Sequence, residues 1–144
     1  MKRRRAREYA LQILFQLELA ETELNDDILA AFWKGVNHEP DDLKDFTHII
    51  VHQTLENLDK IDGIIKEAAE NWDIERMAVI DRNILRAATY ELSFREDIPA
   101  SVTINEALEI AKKYSTQESA SFINGILDRI AKESPKKKKP KSKR

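Results

Sequence analysis

The chain has 144 residues, no cysteine and a net charge of −2, and its 42% hydrophobic and 35% charged residues are the balance of a globular protein rather than a disordered one. This length suits one domain with a real hydrophobic core, while the absence of thiols excludes disulfides and thiolate metal sites. No apolar run approaches membrane-spanning length and no signal-peptide core is present, so we expect a soluble cytoplasmic protein.

Charge is strongly separated along the sequence. Five basic residues precede the first acid, Glu8, and seven follow the last acid, Glu133. Half of the 24 basic residues therefore lie at the two ends, whereas all 26 acidic residues lie in the body between them. Basic ends attract polyanions that an acidic body repels, which favours a compact platform with an electrostatic arm.

The first predicted helix spans residues 6–20, and Phe15 lies at the edge of its buried face. Its apolar residues recur every three or four positions, as in an amphipathic helix: Ala6, Ala10, Ile13, Leu14 and Leu17. The arginines before Ala6 do not form one stripe, so we expect them to precede the helix or to fray from it. Arginine outnumbers lysine in this arm by four to one. This favours phosphate recognition over a merely solvated end, because guanidinium binds phosphate bidentately.

Further helices are predicted before residue 73. Asn25, Asp26 and Asp27 are all good caps for a short helix that Gly35 ends. A long helix then begins near Asp41 and includes Leu58 among its inward positions, and residues 60–72 continue the helical pattern.

Two histidines, His48 and His52, are four residues apart on the long helix. This spacing places two imidazoles on one side, as a metal site requires. No third metal-ligating residue lies at a sequence spacing typical of a metal site, and no HExxH motif is present. We therefore interpret both as surface histidines.

Residues 75–92 are predicted to form a central helix, capped by Asp73, with one bundle before it and one after it. The apolar positions spread over about half of the helical circumference, which is more than one packed face needs: Met77, Ile80, Ile84, Leu85, Ala87, Ala88 and Leu92. Two acids, Asp81 and Glu91, fall inside this arc, where an unpaired carboxylate is costly. We expect Glu91 to be paired with a neighbour, whereas Asp81 is equally suited to face a partner.

Two more helices follow. Thr103 and Glu106 match a Ser/Thr-x-x-Glu capping box, which predicts that a helix begins at Thr103. Residues 120–131 keep unbroken helical periodicity, and we expect Gly125 within them to permit close packing against a facing helix. The low-complexity segment 135–144 has nothing to bury and is predicted to be a disordered basic tail.

Neither an enzyme nor a cofactor site is predicted. The sequence has no glycine-rich phosphate loop, no thiol nucleophile, and no Ser, His and acid set that the predicted elements would bring together. Only 3 Gly and 4 Pro, with long stretches at helical period, predict an all-α fold. A binding module is therefore the favoured class.

Four blocks of sequence, in order, carry a resemblance to a known family. They are KRRRAREYALQILFQ, NW followed by DRNILRAATYEL, IPASVTINEALEIAKKY and SFINGILDRIA. The chain resembles, over nearly its whole folded length, the NusB family of bacterial transcription antitermination factors. The resemblance implies two small helical bundles that share the central helix, in one domain at residues 1–134. We place the bundles at about residues 6–70 and 74–133, and the basic tail lies outside the shared pattern.

The resemblance also implies a function. Members of this family bind the boxA element of nascent RNA, notably in ribosomal RNA leaders, together with the ribosomal protein NusE. They do so within a complex that keeps RNA polymerase from terminating. Relatives differ in oligomeric state. A homodimer in which the basic arm is hidden is therefore one of the states that the sequence allows.

The same resemblance assigns candidate site residues. Those for RNA are the basic arm, an aromatic residue close to it, and residues around the start of the last helix: Lys2, Arg3, Arg4, Arg5, Arg7, Phe15, Tyr114, Gln117, Glu118 and Phe122. In relatives the position of Glu118 is often acidic and tunes the affinity for RNA. Asp81 matches an acidic position implicated in holding NusE, and Glu75 and Arg76 are added from the same helix start.

Two other functions are compatible with the sequence. The same helical domain occurs as the RNA-binding part of some ribosomal RNA methyltransferases. A methyltransferase needs a Rossmann-like domain with a glycine-rich cofactor loop, for which we expect no room in this chain. The other alternative is a structural adaptor that never touches RNA, which an RNA-binding assay would distinguish.

Overall fold

The computed structural model describes residues 2–70 and 72–134, in which the chain forms seven α-helices and one short 3₁₀ helix, Ile74–Arg76. The α-helices in chain order are α1 (Arg3–Ala20), α2 (Asp26–Lys34), α3 (Asp41–Glu56), α4 (Leu58–Ala69), α5 (Val79–Phe94), α6 (Ala100–Tyr114) and α7 (Gln117–Glu133). The prediction of an all-α fold is confirmed.

The tail that was predicted to be disordered, residues 135–144, lies outside the described residues. None of the helices in the described ranges has the length and apolar character needed to cross a lipid bilayer.

Helix α5 is the centre of the fold, as predicted. It packs against α1, α3 and α4 and also against α6 and α7. Leu85 and Leu92 are completely buried, which is expected of a helix covered on more than one side. α1 packs on α3 and α6 packs on α7, but α4 also contacts α7. The bundle limits at residues 6–70 and 74–133 stay a prediction.

The start of α5 is later than predicted. The chain first forms the 3₁₀ helix, and Asp73 caps that helix rather than α5, because its side chain accepts a hydrogen bond from the Glu75 amide (3.1 Å). Arg82, in the first turns of α5, donates to the carbonyl oxygen of Ile74 (3.0 Å). This hydrogen bond satisfies a carbonyl that a continuous helix would use, so it stabilises a turn before Val79.

The arginines of the basic arm are helical, which corrects the expectation that they precede α1 or fray from it. α1 begins at Arg3 because two arginines of its first turns are bound to carboxylates on other helices: Arg4 to Glu106 and Arg7 to Glu91. The apolar face predicted for this helix is confirmed, since all five of its residues are buried: Ala6, Ala10, Ile13, Leu14 and Leu17.

The helix predicted to run through Leu58 ends instead at Glu56. Asn57 leaves helical geometry (φ −110°, ψ 24°), and its side-chain amide donates to the carbonyl oxygen of Gln53 at 2.8 Å. An asparagine amide that bonds the backbone competes with the helix's own hydrogen bonds, which accounts for the break. Leu58 begins α4 and is only half-buried.

Helix α6 begins directly after Pro99, so the predicted start at Thr103 is wrong. The Thr103 hydroxyl is buried and donates to the Glu91 carboxylate at 2.8 Å. Glu106 is bound by Arg4. Both side chains of the predicted capping box therefore serve contacts between helices, which local sequence does not reveal.

Helix α7 begins at Gln117, where Thr116 caps it by accepting a hydrogen bond from the Ser119 amide (2.9 Å). The helix passes through Gly125 without a turn, as its periodicity predicted. The expected close packing at Gly125 is wrong, because a Cβ atom there would meet no atom within 4 Å. Gly125 instead lines an open groove beside Trp72.

Candidate nucleic-acid interface

The start of α1 presents a cluster of cations that we call the basic turn: Lys2, Arg3, Arg4 and Arg5. All four are exposed. They project from the first turn of a helix whose opposite face is anchored in the core through Ala6 and Ala10. The fold therefore holds these charges together on a fixed support rather than on a free strand.

Two arginines of the basic turn are bound to carboxylates of the same chain. Arg4 binds Glu106 through Nε and Nη2, at 2.7 and 3.0 Å, and this hydrogen bonding lowers the pKa of Glu106. Arg5 Nε lies 3.2 Å from the carboxylate of Glu39. The Glu39 carboxylate is buried and also accepts a hydrogen bond from the hydroxyl of Tyr9 at 2.5 Å. An incoming phosphate must therefore compete with carboxylates for these two guanidinium groups.

Arg7 differs from the basic turn in its burial. Its side chain is 9% exposed and the carboxylate that it binds, Glu91, is 2% exposed. Nε and Nη2 of Arg7 donate to the two Glu91 oxygens at 2.8 and 3.0 Å. This geometry joins α1 to α5, so it favours a structural role for Arg7, while its assignment to RNA stays a prediction.

Phe46 organises the guanidinium groups around it. Arg3 Cζ lies 4.4 Å from the centre of the Phe46 ring, and the Cζ atoms of Arg7 and Arg95 lie 5.6 and 5.5 Å from it. Phe46 is buried in α3. Cation–π attraction to a fixed ring restrains the Arg3 stem while the side chain stays exposed to solvent.

Tyr114 lies beside α1, one turn beyond the basic turn. Its hydroxyl donates to Glu8 at 3.2 Å, and Lys113 Nζ lies 3.1 Å from the same oxygen. Gln117 and Glu118 follow on the exposed first turn of α7. Three of the predicted RNA residues are therefore grouped around the turn between α6 and α7, next to α1.

Phe15 and Phe122 are less closely grouped with the others. Phe15 is half-buried, more than two turns along α1 from the basic turn. Phe122 packs edge-on against Trp72, with ring centres 5.2 Å apart. Trp72 is 57% exposed and precedes α5, whereas Arg7, directly after the basic turn, contacts α5 near its end at Glu91. Phe122 thus lies toward the opposite end of the central helix.

The predicted partner residues fall into two environments. Glu75 and Arg76 are exposed on the 3₁₀ helix. Asp81 is buried and accepts hydrogen bonds from the hydroxyls of Ser115 and Ser119, both at 2.7 Å. Asp81 therefore fastens α5 to the start of α7, and its contact with a partner stays a prediction.

A polar network holds the 3₁₀ helix in place. Arg82 donates to the Ile74 carbonyl on one side and to the Glu18 carboxylate on the other. Glu18 also accepts from Asn83 (2.9 Å) and from Arg86 (3.0 Å). Burial alone would raise the pKa of Glu18, but the hydrogen bonds from Arg82 and Asn83 outweigh it and hold that pKa below its usual value. The exposed segment that carries Glu75 is therefore a rigid surface.

Sequence reasoning missed the carboxylates that bind the basic turn and the exposed Trp72. Glu39 and Glu106 are 34 and 102 residues from their arginines, and acidic residues are common throughout this sequence, so nothing marked them. Trp72 lies within one of the blocks of sequence that resemble the NusB family, but no sequence pattern indicated that its side chain is exposed.

Of the two histidines on α3, His48 contacts Trp33, and the ring centre of His52 lies 6.4 Å from that of His48. Trp33 Nε1 donates to His48 Nε2 at 2.8 Å, and burial, with the nearby His52, lowers the pKa of His48. Residues 2–70 and 72–134 contain no group of three or more side chains able to hold a metal ion.

Comparisons with known proteins identify relatives along the whole folded chain. A family model described as the NusB family matches residues 4–132. The transcription antitermination protein NusB of Thermodesulfovibrio yellowstonii is 51% identical over 141 residues, which cover 92% of this chain and 93% of that protein. The structure of T. maritima NusB is 44% identical, covers 93% of each chain and has a TM-score of 0.84. A chain in the crystal structure of antitermination factors NusB and NusE in complex with double-stranded RNA is 25% identical, with a TM-score of 0.81 over 92% of this chain and 98% of that one.

Proposed function

This chain belongs to the NusB family of transcription antitermination proteins, which are not enzymes, and we propose that it binds boxA-type single-stranded RNA in nascent transcripts, notably ribosomal RNA leaders. In this proposal it binds the RNA together with the ribosomal protein NusE, within a complex that keeps RNA polymerase from terminating. A related structure that contains NusB, NusE and double-stranded RNA supports the choice of NusE and of RNA as partners.

The observation that carries the proposal is the basic turn. Its four cations are exposed on one helical turn, while every acidic residue lies in the body of the chain. Such a distribution attracts a polyanion to one end of the molecule and repels it elsewhere. Phosphate contacts of this kind fix the position of the RNA and supply affinity, whereas base contacts select the sequence.

The ion pairs of Arg4 and Arg5 prepare these side chains for phosphate. Exposed ion pairs contribute only about 0–1 kcal/mol, because water screens them and two flexible side chains must be ordered. An RNA phosphate can therefore replace Glu106 on Arg4 at little cost, and the guanidinium is already extended in place. Glu39 is buried and stays close to Arg5, so that arginine is expected to be shared between the carboxylate and the RNA.

Base recognition is assigned to the aromatic and polar residues next to the basic turn. Stacking of one base on Tyr114 or Phe15 would contribute about 1–3 kcal/mol. Both rings are half-buried, so an RNA base can stack on only part of each ring. Gln117 supplies hydrogen-bonding groups beside Tyr114, and the negative charge of Glu118 moderates the affinity of the same surface by repelling phosphate.

Contact with NusE is assigned to the segment before α5. Glu75 and Arg76 are exposed there on a turn that Arg82 fixes through its hydrogen bond to the Ile74 carbonyl. Asp81, buried behind this surface, accepts hydrogen bonds from Ser115 and Ser119 and so holds the start of α5 in place. The NusE surface is therefore separate from the basic turn, near the other end of α5.

Fluorescence anisotropy with a boxA oligonucleotide, measured with and without NusE, tests the proposal. We expect the chain to bind boxA more tightly than a scrambled oligonucleotide, and NusE to increase the affinity. Absence of any RNA binding, with NusE binding retained, would instead identify a protein adaptor.

A further inference from the structure

Ion pairs connect α1 with α6 beside the basic turn. Arg4 binds Glu106, and one turn further along α1 Glu8 binds Lys113, with 3.1 Å between Glu8 Oε1 and Lys113 Nζ. Glu106 and Lys113 are seven residues apart on α6, which corresponds to about 10 Å of helix. The pair of Glu8 and Lys113 therefore places another cation close to the basic turn.

Lys113 combines a fixed position with available hydrogen-bond donors. Its side chain is 59% exposed, whereas the side chain of Glu8 is 13% exposed. The ammonium nitrogen lies 5.3 Å from the centre of the Tyr114 ring, and the hydroxyl of that ring donates to the same Glu8 oxygen at 3.2 Å. An ammonium group has three donors, so Glu8 and Tyr114 leave at least one of them for a ligand.

The charge of Glu8 bears directly on RNA binding at this surface. Glu8 lies one turn after Arg4, and an unpaired carboxylate there would repel the phosphates that the basic turn attracts. Lys113 neutralises this charge while most of its own side chain stays in solvent. Because lysine contacts phosphate as a point charge, it suits an RNA strand of any sequence that lies across Tyr114.

We propose that Lys113 is a further RNA-binding residue, whose ammonium group contacts a backbone phosphate beside Tyr114 while Glu8 keeps the side chain in place. The inference rests on the proposed RNA binding and extends its phosphate-binding surface from the start of α1 to the end of α6. Phosphates of one nucleic-acid strand are spaced by about 3.4 Å along a stacked helix. About three nucleotides therefore match the length of α6 between the partners of Arg4 and Glu8.

The test measures RNA binding by full-length Lys113→Gln in an anisotropy assay over a range of salt concentrations, with boxA RNA and with a scrambled RNA of the same length. Loss of one phosphate contact should make the slope of log K against log salt shallower by about 0.7 and weaken binding about fivefold at 0.1 M salt. Both RNAs should show the same change, because phosphate carries no sequence information. A loss confined to boxA RNA would contradict a phosphate contact.

Lys112→Gln is the matched control. Lys112 is exposed next to Lys113 on α6, but its ammonium lies 3.6 Å from Glu109 rather than beside Glu8. The control removes the same charge, so its slope and affinity should stay close to those of the unmodified chain. Equal effects of the two variants would reduce the role of Lys113 to its net charge and overturn the inference.

A second comparison separates a phosphate contact from the neutralisation of Glu8. In a chain that already carries Glu8→Gln, Lys113→Gln should still make the slope shallower by about 0.7, because the contact is lost with the ammonium group. If Lys113→Gln has no effect in that background, Lys113 serves only to neutralise Glu8, and the inference is overturned.

The basic turn separates failure of this inference from failure of the proposed function. If Lys113→Gln has no effect in the unmodified chain while neutralising the basic turn weakens binding, the inference is overturned and the proposed function stands. If neutralising the basic turn has no effect either, the proposed function itself fails.

Discussion

Arg7 and Glu91 form a bidentate ion pair, with distances of 2.8 and 3.0 Å, in which both side chains are almost entirely excluded from water. The pair joins the second turn of α1 to the last turns of the central helix. The basic arm that the sequence presents as one unit therefore consists of two parts: Arg7 is bound into the fold, and the basic turn before it faces solvent.

Replacing Arg7 should cost stability. Arg7→Met removes two charge-assisted hydrogen bonds from a buried carboxylate, and breaking one side of such a pair typically costs about 3–5 kcal/mol. Urea unfolding followed by circular dichroism measures this loss. Lys2→Met is the control, since an exposed position should change the free energy of unfolding by about 0.5 kcal/mol or less. A loss for Arg7→Met as small as that of the control would show that the pair is not structural.

Glu106→Gln should tighten RNA binding. The substitution releases Arg4 from a bidentate carboxylate and removes one negative charge beside the basic turn. We expect an increase in affinity of about two- to fivefold, as the loss of an exposed ion pair allows. Glu109→Gln removes a charge from the same helix without releasing Arg4, so it should have a smaller effect in the same anisotropy assay. Equal effects of the two variants would exclude competition between Glu106 and phosphate.

The hydroxyl of Tyr9 should ionise at unusually high pH. Burial, together with the hydrogen bond to Glu39, raises the pKa of Tyr9 from 10.0 to about 12. Because the protonated phenol is favoured in the folded state, its contribution to stability is complete below pH 10 and is lost as the pH rises through 12. Ultraviolet difference titration of the protein against Tyr9→Phe should show a phenolate midpoint near 12, and a midpoint near 10 would contradict the Tyr9–Glu39 hydrogen bond.

Asp81 and Glu75 should behave differently although both are partner candidates. Asp81→Asn weakens the acceptance of two serine hydrogen bonds in a buried site, so we expect a loss of about 1–3 kcal/mol in the free energy of unfolding. Glu75→Lys changes an exposed side chain, so it should leave unfolding unchanged and weaken the affinity for NusE, measured by calorimetry. Loss of NusE binding in Asp81→Asn with full stability would mean that Asp81 contacts the partner directly.

Much of the fold could be predicted from the sequence, because periodicity determines which face of a helix is buried. The inner face of α1 and the central position of α5 are confirmed in this way, and of the three predicted caps for α2 the structure uses Asn25. The errors concern side chains with contacts far along the chain. Thr103 resembles a helix cap, but its hydroxyl bonds a carboxylate on α5.

The candidate site was less predictable than the fold. Residue type and family resemblance indicated the arginines, but not which of them are free for a ligand. Arg4 and Arg7 are three residues apart and chemically identical, yet one is exposed and the other is buried against Glu91. The difference depends on which helices pack against each side of α1, which a local pattern does not contain.

The most direct test of the account is the salt dependence of RNA binding in a chain with the basic turn neutralised by Lys2→Gln, Arg3→Gln, Arg4→Gln and Arg5→Gln. Arg7 is kept so that the fold is preserved. If these four cations contact phosphates of single-stranded RNA, the slope of log K against log salt should become shallower by about 2.8 and the affinity should fall steeply. A variant that binds boxA RNA with the slope and affinity of the unmodified chain would contradict the assignment of RNA binding to the start of α1.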